Sequence, residues 1–157
     1  MGKPIFDLNF WKERIEGAKK GREHYSVYVT SDGDWKKLNQ VHKDILAKVV
    51  SGKVLDAGCG YGRTSEWIDD YVGVDFSPDF IALAQKNYPN KEFVQADLRE
   101  LPFGNEEFDW AICTSIKEMI VNNMGKSEWD KMEKELKRVA KKVLILEYTE
   151  PEKYFIL

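Results

Sequence analysis

The chain has 157 residues, of which 43% are hydrophobic, 32% charged and 13% aromatic. That is one domain with material for a core, which excludes wholesale disorder. A net charge of −3 excludes a strongly basic nucleic-acid module, and no apolar run approaches the roughly 18 residues of a membrane helix.

In chain order, residues 6–22 predict a helix, because Phe6, Phe10, Trp11 and Ile15 recur at helical spacing. Tyr25 to Thr30 alternate as a short extended segment. Ser31-Asp32-Gly33-Asp34 is a turn that can cap a helix running from about Trp35 to Val50. The buried face expected there is Trp35, Leu38, Val41, Ile45 and Val49, with His42 beside it as a packing histidine. Lys53–Ala57 reads as a strand, Thr64–Asp70 as a short helix and Tyr71–Val74 as a strand. Ser77-Pro78 gives an N-cap and a first-turn proline for a helix through about Asn87. Glu92–Ala96 and Phe108–Cys113 are further strands, and Ile116–Lys126 reads as a loop. Ser127 is expected to cap a helix burying Trp129, Met132, Leu136 and Val139, and Lys142–Tyr148 to form the last strand. Strands alternating with helices mean a parallel sheet covered on both faces.

The start Met1-Gly2-Lys3-Pro4-Ile5 shows no signal peptide. Gly2 lacks the Ser or Thr that myristoylation wants at position 6, where Phe6 stands. Two cysteines, Cys59 and Cys113, suit the reduced thiols of a cytoplasmic chain.

The stretch Asp56-Ala57-Gly58-Cys59-Gly60-Tyr61-Gly62-Arg63 carries a strand into a glycine turn that opens a helix. Such a turn brings a ligand close to the backbone. Arg63 stands where a dinucleotide fingerprint would place its third glycine, and no Gly-Lys-Ser/Thr ending makes it a phosphate loop. The next strand ends in Asp75, placed to accept from a ribose diol. The strand after that ends in Asp97, which could accept from a purine amine.

These motifs resemble the class I S-adenosylmethionine-dependent methyltransferases over about Lys53–Tyr148. Val54–Gly62 is similar to the family's first motif, Gly73–Ser77 to the acidic second and Ala96–Leu98 with Leu101-Pro102-Phe103 to the third. Phe108–Cys113 is similar to its fourth strand. The resemblance implies an α/β, doubly wound Rossmann-like sheet of five parallel strands in the order 3-2-1-4-5, with helices on both faces. It implies a single domain: residues 1–51 as a helical lid and first helix, 52–148 as the cofactor core and 149–157 as a tail. The implied cofactor is S-adenosylmethionine, with S-adenosylhomocysteine as product. Its site would comprise Asp56, Ala57, Gly58, Cys59, Gly60, Arg63, Asp75, Phe76, Ser77, Asp97, Leu98 and Cys113. Asp56 would organise the turn, and Gly58 and Gly60 would line the methionine. Arg63 would reach its carboxylate and Cys113 would offer a main-chain carbonyl to its amine. Asp75 would bind the ribose. Phe76 and Leu98 would contact adenine, and Asp97 its amine. No metal is implied.

Methyl transfer needs alignment and exclusion of water more than a base. Candidates for a base are Glu147, at the end of the fifth strand, and Tyr28; His24, Thr114, Ser115, Tyr148 and Lys117 also lie toward the expected site. The Asn/Asp-Pro-Pro-Tyr/Phe and Pro-Cys motifs of nucleic-acid enzymes of this kind are absent after Cys113. That favours a small-molecule acceptor. The alternatives are a macromolecular acceptor, and a binding module inactive without a partner. Only nine residues follow Tyr148, too few for the family's usual C-terminal hairpin. The apolar fifth strand must then be covered by the tail, by the N-terminal helix or by a second subunit.

Overall fold

A computed structural model describes residues 8–20 and 32–157. Tyr28, His24 and the extended segment 25–30 lie outside the described residues.

Helix α1 (Leu8–Lys19) buries Trp11 and Ile15, and α2 (Asp32–Val49) buries Trp35, Leu38, His42 and Leu46. Then follow β1 (Val54–Ala57), a 3-10 turn at Ser65–Trp67, β2 (Tyr71–Asp75), α3 (Pro78–Asn87), β3 (Glu92–Gln95) and β4 (Phe108–Thr114). The chain closes with α4 (Lys117–Met124), α5 (Lys126–Val139), β5 (Ala140–Leu146) and β6 (Tyr154–Ile156).

The strands form one sheet in the order β3-β2-β1-β4-β5-β6. The first five are parallel, and β6 runs antiparallel to β5. Side chains alternate across a sheet. Leu55, Ala57, Val72, Val74, Ala111, Cys113, Val143 and Ile145 share one core with α4 and α5. Val54, Tyr71, Trp110, Ile112, Leu144 and Leu146 share the other with Leu46 of α2 and with Ile81 and Ala84 of α3. A strand buried on both faces has no polar face to show, which is why these strands read as apolar runs.

Five expectations need correction. The sheet has six strands, because the tail residues Tyr154–Ile156 are apolar, suited to strands, and lie beside the open edge of β5. Val143 and Leu157 exchange two main-chain bonds at 3.1 and 2.8 Å. The tail is therefore what covers β5. The segment 116–126, read as a loop, contains α4, which buries Met119 and Ile120. That helix is short, and its first turn has no side-chain cap, so the usual start signal is missing. Ser127 caps nothing; Gly125, with φ +94°, closes α4 through its N–H to Val121 and α5 starts at once. The helix expected at Thr64–Asp70 is only the 3-10 turn. Finally, the buried stripe of α2 is turned toward His42 and Leu46, because His42 bonds to groups on the sheet side, while Val41, Ile45 and Val49 are half-buried. Ser77 caps α3 as expected, accepting from the Phe80 N–H.

Candidate active site

The C-terminal ends of β1 and β4 mark the point where strand order reverses, and there the connections part to leave a crevice. Asp56 is buried at the end of β1. Its Oδ2 accepts from the Thr64 hydroxyl at 2.5 Å and the Tyr71 hydroxyl at 2.8 Å. Both bonds tie the chain after the glycine turn back to the sheet. Burial pushes the Asp56 carboxyl up, and its Oδ1 has no hydrogen-bond partner among the described residues. The N–H groups of Gly58 and Cys59 both donate to Val74 O at 2.8 Å. Gly58 sits at φ +75°, and a Cβ there would meet Ile116 Cδ1 at 2.7 Å. Gly60, at φ +54°, has nothing within 4 Å of where a Cβ would stand. One glycine is thus required by crowding and conformation, the other by conformation alone. Cys59 is buried and its thiol is pushed up, first by desolvation and then by Asp75, so it is no nucleophile.

Asp75 ends β2 at 8% exposure. Its Oδ2 accepts from the Gly60 N–H at 3.0 Å and its Oδ1 from the Ser77 N–H at 2.9 Å. Burial raises the carboxyl to about 6, against the pull of those two amides. Asp97, at the end of β3, has another fate. Arg99 grips both its oxygens, with Nη2 to Oδ2 at 2.6 Å, and reaches on to Glu128 of α5. That guanidinium holds the Asp97 carboxyl below its usual range.

Arg63 is buried between the rings of Trp35 and Trp67, at 5.3 and 5.5 Å from their centroids. It donates to Asn39 Oδ1 at 2.8 Å and to His42 Nδ1 at 3.3 Å. An arginine only donates, so Nδ1 accepts and the Nε2–H of His42 points at Glu147 O, 3.2 Å away. Desolvation and Arg63 hold His42 down to about 3, so it stays neutral. The Glu147 side chain turns to the start of α4 and accepts from the Glu118 N–H at 3.1 Å. Desolvation, then Glu118, raise it to about 7.

A cleft, open in part to solvent, lies among these parts. Of the expected residues, Asp56, Gly58, Cys59, Gly60, Arg63, Asp75, Phe76 and Leu98 line it. Ala57, Ser77 and Cys113 do not line it: Ala57 and Cys113 are buried strand residues, and Ser77 donates its N–H to Asp75 and caps α3. The Asp97 and Glu147 carboxylates do not line the cleft. Sequence reasoning missed Trp11, Tyr61, Thr64, Phe80, Met132, Ile116 before α4, and Met119 and Ile120 on its inner face. Thr64 carried a signal, a hydroxyl eight residues beyond a buried Asp. The others show only as apolar residues.

Residues 54–143 match the family described as a methyltransferase domain. The chain belongs to the class I S-adenosylmethionine-dependent methyltransferase family. The methyltransferase match begins with β1 and ends inside β5. The chain is 30% identical over 130 residues to the demethylmenaquinone methyltransferase of Renibacterium salmoninarum, covering 78% of this chain and 52% of that protein. It is 32% identical over 90 residues to a probable phthiotriol/phenolphthiotriol dimycocerosates methyltransferase of Mycobacterium ulcerans, covering 52% and 35%. The crystal structure of the PH0226 protein from Pyrococcus horikoshii superposes with a TM-score of 0.65 at 29% identity, over 78% of this chain and 61% of that one. The methyltransferase domain thus spans about half the length, or less, of these curated relatives.

Proposed function

We propose that this domain binds S-adenosylmethionine in the cleft and transfers its methyl group to a small molecule, leaving S-adenosylhomocysteine. The residues present fit that cofactor. Asp75 carries the argument: it is a buried carboxylate on the cleft whose two oxygens each hold one main-chain N–H and keep a lone pair for a ribose diol. Among the described residues, Asp56 Oδ1 lacks a partner and the Arg63 guanidinium hydrogen-bonds only to neutral groups, an amide oxygen and an imidazole. An ammonium and a carboxylate on one ligand would complete both. Phe76 and Leu98 would flank adenine. The sulfonium, when bound, supplies an already activated methyl group.

The chain's own residues then orient and enclose. The glycine turn fixes the donor's height above β1, and the buried walls keep water from competing. Support for a small acceptor comes from the relatives, whose names specify demethylmenaquinone and phthiotriol dimycocerosates. Calorimetric titration with S-adenosylhomocysteine tests the binding, and micromolar affinity is expected. No heat together with no thermal shift would sink the cofactor reading. Binding without turnover on any acceptor would favour a module that needs a partner.

A further inference from the structure

We propose that the part of the cleft lined by apolar side chains of the helices holds the methyl acceptor, and that this acceptor is a neutral, largely apolar molecule anchored through a hydroxyl group on Ser115. The proposal rests on the cofactor reading above and specifies its substrate. The charged groups of the cleft, Asp56, Asp75 and Arg63, all belong to the ends of β1 and β2 and the turn between them. The helices contribute a different lining: Trp11 of α1, Phe80 of α3, Met119 and Ile120 of α4 and Met132 of α5. None of these five is more than 8% exposed, and Trp11 meets Phe80 edge to face at 5.6 Å. An ion placed against that wall would lose its hydration with no countercharge to replace it. A ring or chain would be accepted, and the two unbranched methionines adapt to its outline.

Thr114 and Ser115 also line the cleft, and of the two only Ser115 has a buried hydroxyl without a partner among the described residues. Ser115 follows β4 and is pinned by its N–H to Leu146 O at 2.7 Å. Its φ is +61°, a left-handed conformation that costs a residue with a Cβ. It lines the cleft at 5% exposure, and its Oγ has no hydrogen-bond partner among the described residues. Glycine would avoid the strain, and alanine would avoid the orphaned oxygen. What serine keeps is a hydroxyl that turns about one torsion and both donates and accepts. A ligand hydroxyl, with the same two capacities, is its natural complement. Costs of this kind persist where a ligand repays them.

The test uses three probes with one ring system, titrated at pH 7 into the full chain saturated with S-adenosylhomocysteine. They are 1-naphthol (neutral), 1-naphthoate (anion) and 1-naphthylmethylammonium (cation). The naphthol should bind at least about tenfold tighter than either ion, as an uncompensated buried charge requires. Ser115→Ala should weaken naphthol binding about tenfold and leave that of naphthalene within about twofold. Ser115→Gly should weaken naphthol similarly and yet raise Tm by about 2 °C as the strain is released. A purely structural Ser115 would not separate those readouts. Equal or tighter binding of either ion overturns the proposed acceptor class, and unchanged naphthol affinity in Ser115→Ala overturns the role of Ser115. The preload separates the two readings. Without S-adenosylhomocysteine binding both fall, whereas its binding without naphthol binding removes the acceptor proposal alone.

Discussion

The ends of β2 and β3 carry the same signal, an aspartate closing a strand, and the fold treats them in opposite ways. Asp75 is enclosed by the glycine turn and the start of α3, is 8% exposed and has its carboxyl raised to about 6. The Asp97 side chain is 39% exposed, is gripped by Arg99 and has its carboxyl lowered. β2 lies inside the sheet and β3 at its edge. A carboxylate at an interior strand end is desolvated and served by backbone amides. One at an edge finds a flexible arginine first. The lesson is that a strand-end acid becomes a binding group through what surrounds it, not through its spacing.

The sharpest way to break that contrast is Asp75→Ala. Loss of charge-assisted bonds to a ribose should weaken S-adenosylhomocysteine by about 2–3 kcal/mol, measured by calorimetry. Unchanged affinity would put the cofactor elsewhere. Glu147, a third strand-end acid, extends the comparison to stability. Its folded pKa of about 7 lies above the ordinary 4.5. The protonated form is therefore favoured by folding, and the chain loses stability as pH rises from about 4.5 through 7. Glu147→Gln should remove that loss, raising Tm at pH 8 by about 5 °C, near 2 kcal/mol, with little change at pH 4. An equal shift at both pH values would mean that the Glu147 pKa is the same in the folded and unfolded chain.

Acid should also reveal Asp75 in the cofactor titration. A diol donates to the charged carboxylate, so affinity should hold above pH 7 and fall about tenfold by pH 5, as the group raised to about 6 takes up its proton. The Asp75→Ala variant should lose that pH dependence. The smallest effect is expected at the edge. Asp97→Asn should change cofactor affinity by less than about threefold, since Arg99 already occupies both oxygens and an exposed pair is worth little. A tenfold loss would show that Arg99 releases Asp97 to the ligand and would erase the difference between the two strand ends.

Most of the sheet was legible in the sequence. Strands buried on both faces appear as unbroken apolar runs such as Val143–Leu146, and turns between them carry glycine, proline and capping serine. The turn at Gly58–Gly62 was legible for the same reason, because only glycine tolerates that conformation and crowding. Features held by distant partners were not. Nothing near Asp56 in the chain says that Tyr71 would donate to it, and nothing near Arg63 says that Trp35 and Trp67 would enclose its guanidinium. Met119 and Ile120 gave no sign of lining a cleft, because α4 lacks a capped start and its apolar residues look like ordinary core.

By itself the sequence determined the parallel sheet and the place of the glycine turn, while the strand order followed from the family resemblance. The first two follow from period, conformation and the right-handed crossover rule, which act locally or between neighbouring elements. The tertiary structure alone decided which acids are buried. It alone enclosed the Arg63 guanidinium between Trp35 and Trp67, and it alone showed that the tail pairs with β5. Desolvation and pairing depend on what long-range packing brings alongside a group, and no local pattern records that neighbour.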